Sequence, residues 1–195
     1  YCGRHDPEPG APLAVTVLPE ADMADVLGMR DAILGHPRAS TLFEGRGGVE
    51  ITGAFEDPDT GVLCKFRPDR LVERAGMLVD IKTTRDAALR IGRERPRRRG
   101  YFRKLAFYRR GLRALGWPYQ ATAIVAVESH APYDLICYLA DETALDSAER
   151  EVVRLLRQYR QCHETDTWPG YQTGEDGFAT LVRPGWAKDY TESEG

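Results

Sequence analysis

The sequence predicts an α/β (α+β) domain in which helices flank a central mixed β-sheet, and three observations predict it. The apolar spacing is helical up to Gly35, alternates from Val49 onward and turns helical again at Tyr101. Turn-forming residues divide the stretch from Val49 to Thr83 into three strands of an antiparallel meander. The β-branched run Ala121 to Val127 then reads as a buried strand set between helical segments. The order α, meander, α, β, β, α suits helices packed over a mixed sheet.

Each element has its own signal. Residues 1–20 are rich in Pro and Gly and read as irregular. The chain opens on Tyr1-Cys2-Gly3-Arg4-His5, without an initiator Met or a signal-peptide pattern, so upstream residues are expected to be missing. The folded domain is expected over 21–190, followed by a tail over 191–195. Asp22 to Leu34 carries Met23, Val26, Leu27, Met29, Ile33 and Leu34 at helical spacing, with Gly35 as the stop. Pro37 opens a second, short helix through Ala39, Leu42 and Phe43. Val49, Ile51 and Phe55 alternate as the first strand, and Asp57-Pro58-Asp59-Thr60-Gly61 turns the chain. Val62 to Arg67 is the second strand, interrupted by Pro68 and continued by Leu71-Val72. Ala75-Gly76 turns it into the third, Met77 to Thr83.

Residues 85–100 are charged and broken by Gly92 and Pro96. Tyr101 to Leu115 follows as a helix, with Phe102, Leu105, Ala106, Tyr108 and Leu112 as packing positions, closed by Gly116-Trp117-Pro118. Tyr133 to Leu139 forms the last strand. Asp141 is the N-cap of a helix running to about Cys162, whose Val152, Val153, Leu155, Leu156 and Tyr159 make it a packing helix. Trp168 and Trp186 are expected to anchor the segment after Thr165.

Composition narrows the classes. A chain of 195 residues, 42% hydrophobic and 29% charged, is that of a globular domain. No apolar run approaches the roughly 20 residues that span a bilayer. The four cysteines form no CxxC pair, which argues against a zinc or iron–sulfur site. Cys64 and Cys137 lie in apolar strand-like runs and read as core thiols, which fits a reducing, cytoplasmic setting. The net charge of −3 conceals an asymmetry, for residues 85–113 hold twelve Arg or Lys against two acids, Asp86 and Glu94. So concentrated a block on an acidic chain points to a polyanion contact of defined position.

The chemistry concentrates in Arg67-Pro68-Asp69 and Asp80-Ile81-Lys82-Thr83-Thr84. Asp80 and Lys82 are two apart and share one face of an otherwise apolar strand. Charges on a buried strand need a partner or a use. The hairpin turn between Asp69 and Asp80 brings both carboxylates together, and such a pair suits Mg²⁺, which takes one or two carboxylates and keeps several waters. The Ile81 carbonyl is a further candidate ligand. The Lys82 ammonium is placed to orient or help deprotonate an attacking water and to neutralise a phosphorane-like transition state. Taken alone, the Asp80–Lys82 spacing would be an ordinary ion pair on a surface strand.

These residues resemble the PD-(D/E)xK motif of the restriction-endonuclease-like nucleases. On a wider view, Val49-Glu50, residues 57–64, Arg67-Pro68-Asp69, residues 80–84, Ala106-Phe107-Tyr108, Thr167-Trp168-Pro169 and Trp186-Ala187-Lys188 resemble the C-terminal nuclease domain of RecE (exodeoxyribonuclease VIII). The resemblance covers roughly residues 20 to 190. It implies a restriction-endonuclease-like core and a Mg²⁺-dependent exonuclease, with Mn²⁺ substituting, that degrades one strand of linear duplex DNA from its 5′ end and leaves a 3′ overhang for recombination. It also implies a homo-oligomeric ring, a single-strand annealing protein as partner and a phage or bacterial cytoplasm. Asp69 and Asp80 match metal ligands, Lys82 the catalytic lysine and Glu50 an upstream active-site acid. Tyr108 matches a Tyr of the site helix, but Lys104 stands where the family commonly has Gln, and can hold a phosphate as a point charge. The family's upstream His has no counterpart in His5 or His36; these two, with His130 and His163, read as surface residues. Arg67, Arg97, Arg98, Arg99, Arg103 and Lys104 are the DNA-binding candidates. The alternatives are a single-strand DNA nuclease of the same superfamily, which would usually bring a cysteine cluster, and a non-catalytic DNA-binding or assembly module of the same fold.

Overall fold

The structure is a computed structural model that describes residues 18–88, 95–171, 178–179 and 181, with the side chains of all but 95–99. The helices are α1 (Glu20–Gly35), α2 (Ala39–Phe43), α3 (Arg95–Ala114) and α4 (Glu142–Thr165). The strands are β1 (Gly47–Val49), β2 (Gly53–Glu56), β3 (Leu63–Phe66), β4 (Arg70–Val72), β5 (Met77–Thr84), β6 (Ala121–Glu128) and β7 (Leu135–Leu139). They form a five-stranded sheet in the order β1-β4-β5-β6-β7 and a separate two-stranded sheet, β2-β3. In the larger sheet β5 and β6 run parallel, and the other neighbours are antiparallel. A right-handed crossover rule favours the helix that joins such a parallel pair, and α3 fills that connection.

The expected meander is therefore more broken than its spacing suggests. The first two strands each split, and their inner halves, β2 and β3, leave the main sheet as a hairpin. Turns do the splitting. Glu50 takes φ +47 between β1 and β2, and Pro68, without an amide hydrogen, separates β3 from β4. Of the alternating residues on the first strand only Phe55 is buried, while Val49 is 69% and Ile51 50% exposed. Helix α3 also begins earlier than expected, at Arg95, because Pro96 is tolerated in a first helical turn.

The two faces of β5 meet different layers. Leu78, with Leu71 and Ile124, packs beneath Leu105, Ala106 and Leu112 of α3 and Leu145 and Ala148 of α4. Val79, with Val72, Ala123 and Val125, packs beneath Ala39 and Leu42 of α2. Arg70 is 5% exposed on this second face and gives its guanidinium to the carbonyls of Leu42, Phe43, Glu44 and Gly45 at 3.0–3.4 Å, capping the end of α2. His36 caps the other end. Its Nδ1 accepts the amides of Arg38 and Ala39 at 3.2 and 3.1 Å, so it is a half-buried cap and not the surface residue the sequence suggested.

Asp141 caps α4 as expected, its Oδ1 accepting the Ala144 amide at 2.7 Å. Cys64 is buried and Cys137 half-buried, and burial pushes both thiols up. The chain divides into two compact units, Tyr1–Arg157 and Gln158–Gly195. In the second unit Trp168 is 57% exposed and meets the Tyr159 ring edge-on at 5.8 Å, a shallower anchor than expected. Trp186 lies outside the described residues. No helix among the described residues is long and apolar enough to cross a membrane.

Candidate active site

The site forms where β4 and β5 begin to part. Their register pairs Arg70 with Val79, and one step further Asp69 stands opposite Asp80. Both side chains alternate onto the face that meets α3, together with Leu71, Leu78 and Lys82. The Asp69 Oδ2 accepts the Ile81 amide at 2.7 Å, which fixes the carboxylate across the strand gap and leaves Oδ1 for another ligand. The Asp80 side chain is only 3% exposed, and its two oxygens carry one ammonium each. Lys82 holds Oδ2 in a close ion pair, and Lys104, reaching down from α3, holds Oδ1 at 2.6 Å. The Lys82 Nζ also donates to the Ile81 carbonyl at 3.3 Å.

Aromatic rings wall the pair of ammoniums. The Lys82 Nζ lies 5.7 Å from the centre of the Tyr101 ring, and the Lys104 Nζ lies 5.2 Å from that of Tyr108. Tyr108 in turn packs on Phe66 at 5.7 Å. Burial lowers the Lys104 affinity for its proton, but the hydrogen bond to Asp80 and the nearby charges of Asp80 and Asp69 outweigh it and push the ammonium above its ordinary value. Lys104 therefore grips a carboxylate, where the sequence suggested a phosphate.

The structure thus brings Asp69, Asp80, Ile81, Lys82, Lys104 and Tyr108 together. It sets Glu50 and Arg67 apart from them as an exposed pair, 3.7 Å from each other. The Glu50 amide still donates to the Asp69 carbonyl at 3.1 Å, so its backbone borders the site while its carboxylate does not enter it. Among the described residues no three His, Cys, Asp or Glu side chains gather as a metal-binding group. Two carboxylates and the Ile81 carbonyl remain, an all-oxygen donor set that fits a hard divalent cation retaining several waters.

The arginine block divides. Arg109 is 1% exposed and its guanidinium meets Glu142 at 2.8 Å, Asp146 at 2.8 Å and Glu149 at 2.5 Å, all on α4. Arg110 shares Glu149 at 3.2 Å and reaches beyond it to Asp57 and to Asp59 at 2.5 Å. Burial disfavours charge at both arginines, and the carboxylates more than restore it. These two are an internal clamp and not part of a polyanion surface. Arg103 sits 3.5 Å from Glu151. The side chains of Arg97, Arg98 and Arg99 lie outside the described residues. The sequence signal for the clamp was present, as Glu142, Asp146 and Glu149 follow helical spacing on one face.

Among solved structures, a protein named "Putative exonuclease" from Eubacterium rectale matches at 14% identity with a TM-score of 0.59, over 77% of this chain and 56% of that one. At that identity the match shows the fold alone, and this chain spans 56% of the length of its neighbour. The structure of SSO0001 matches at 17% identity over 69% of this chain and 58% of that one, with a TM-score of 0.36, too low to bear an argument. No curated protein matches the sequence. The two acids and the lysine on neighbouring strands, the mixed sheet around them and a family model that matches residues 17–176 agree: this chain belongs to the family described as "PDDEXK-like domain of unknown function (DUF3799)".

Proposed function

We propose that the chain is a Mg²⁺-dependent exonuclease acting 5′ to 3′ on linear duplex DNA and leaving 3′ single-stranded overhangs. The observation that carries this reading is the meeting of Asp69, Asp80 and Lys82 where the β4–β5 pairing ends, with Asp80 nearly sealed from solvent. Nucleases of this fold generally use divalent metal ions. Asp69, Asp80 and the Ile81 carbonyl would hold Mg²⁺ or Mn²⁺, which supplies Lewis acidity and a water of lowered pKa when bound. Lys82 orients the water and offsets charge as it builds on the phosphorus oxygens. Tyr108 walls the pocket and positions Lys104. Arg67, exposed at its edge, and the arginines at the start of α3 contact the DNA backbone.

The naming of the Eubacterium rectale neighbour as an exonuclease agrees with this reading, as does the RecE resemblance. The same resemblance suggests a ring of several copies and a single-strand annealing partner. Exposed apolar residues along α1, Met23, Val26, Leu27 and Leu34, are surface of the kind that oligomers cover. The second ammonium on Asp80 favours one other reading, a non-catalytic DNA-binding module whose metal ligands are neutralised within the chain.

Incubation of the protein with Mg²⁺ and 5′- or 3′-labelled linear and circular duplexes tests the proposal. Loss of the 5′ label from linear DNA, with circular DNA intact, supports it. A mobility shift without degradation overturns it in favour of the binding module, and cleavage of circles overturns the need for an end.

A further inference from the structure

Each oxygen of Asp80, a metal-ligand candidate, already carries an ammonium. Lys82 occupies Oδ2 and Lys104 occupies Oδ1, and Lys104 does so from a different element, at 2.6 Å. Together Asp69, Asp80, Lys82 and Lys104 sum to no net charge, so the pocket exerts little pull on a free cation. A cation on either oxygen would lie against an ammonium, and their repulsion is relieved when one ammonium moves away. Lys82 is the less easily displaced, since its neighbour position on the same strand also ties it to the Ile81 carbonyl and its side chain is 21% exposed. Lys104 is 35% exposed and stands on a four-carbon tether, over the Tyr108 ring, at the solvent side of the pair.

We propose that Lys104 is a displaceable counter-ion that holds the Asp80 carboxylate until metal and DNA arrive together. Asp80 would then be open to hold the metal in place of one of its waters, and the released Lys104 ammonium pairs with a phosphate of the bound strand. No covalent bond is made or broken. The lysine thereby couples the two ligands. A cation alone moves Lys104 only into water, whereas a DNA phosphate pairs with it, and by thermodynamic reciprocity metal tightens DNA as much as DNA tightens metal. The inference rests on the proposed metal site and adds a residue that makes metal uptake conditional on substrate.

The test is a Mn²⁺ titration read by the electron paramagnetic resonance of the free ion, with and without a phosphorothioate-linked duplex that resists cleavage. It uses the unaltered chain, Lys104→Met, Lys104→Gln as a second variant of different polarity, Lys65→Met as a control for loss of one exposed positive charge on β3, and Asp80→Asn. Without DNA, both Lys104 variants are expected to bind Mn²⁺ roughly tenfold more tightly than the unaltered chain, and Lys65→Met within about twofold of it. The extra tightening caused by DNA is expected to shrink by the same factor in the Lys104 variants. Equal Mn²⁺ affinity with and without Lys104, abolished by Asp80→Asn in both, overturns the counter-ion role and leaves the metal site standing. An equal gain in Lys65→Met reduces the effect to general charge and also overturns it. No Mn²⁺ uptake by any form overturns the metal site and this inference together.

Discussion

At the scale of single residues, the site is decided by two ammoniums on one carboxylate. Lys82→Ala is expected to abolish Mg²⁺-dependent cleavage while leaving duplex binding within a few-fold, measured by a labelled-end assay beside a filter-binding isotherm. Retained cleavage removes the role assigned to Lys82. A second residue-scale consequence concerns Asp57, whose side chain is fully buried. Burial by itself would raise its pKa, but hydrogen bonds from Arg110 and Thr60 and the Arg110 charge outweigh it and hold the carboxyl below its ordinary 3.8. A carboxyl depressed in the folded state stabilises the fold above its unfolded value. That stability drains away as the pH drops from 3.8 through the lower folded value. The urea midpoint is therefore expected to fall in this acid window, and Asp57→Asn, already destabilised at neutral pH, to lose less of its midpoint there. An identical acid slope in both proteins would assign the effect to other groups. The pairing of Asp69, Asp80 and Lys82 was legible in the sequence because strand alternation and one hairpin suffice to place them. The grip of Lys104 on Asp80 was not, because it depends on how α3 docks, which no local spacing encodes.

At the scale of elements, close approach and capping set where α2 and α3 sit. Gly111 faces the β2-β3 hairpin, and a Cβ there would come within 2.7 Å of the Phe66 ring and 2.8 Å of the Phe55 ring. Gly111→Ala improves helix propensity by about 1 kcal/mol, yet overpacking of this kind costs about 1–3 kcal/mol. A net loss of stability is expected, read as a lower urea midpoint; a gain would show that the rings move aside freely. Arg70 offers the other case. Arg70→Met keeps the bulk but leaves four carbonyls at the end of α2 without their donor, a loss of about 2 kcal/mol, and it should speed amide exchange in α2 ahead of the β5-β6 pair. Uniform exchange would mean that α2 does not depend on the cap. Helix and strand positions were largely readable from periodicity. The split of the meander was not, because a strand that changes sheets keeps its alternation, and only the φ of Glu50 and the break at Pro68 mark the crossing.

At the scale of the whole molecule, part of the positive charge is spent on holding the fold. The block at 85–113 read as one basic surface in sequence, and the structure assigns Arg109 and Arg110 to the interior. Partition of that kind is invisible to composition, because α4 and the hairpin turn supply the opposing acids from distant positions. Arg97, Arg98 and Arg99 stay the proposed DNA contact. Neutralising Arg97, Arg98 and Arg99 together is expected to weaken duplex binding and to reduce the slope of log K against log salt by up to about 2.7, if all three meet phosphates. An unchanged slope would place the DNA elsewhere.

Two adjacent guanidiniums that share Glu149 and part beyond it key α3 to α4 and to the turn after β2 at once. Successive side chains on a helix point about 100° apart. Rolling α3 by one position would carry both arginines away from their acids together, stranding buried charge. Near-miss dockings of this helix are thus penalised twice. The clamp favours the rotational setting in which residue 104 faces Asp80.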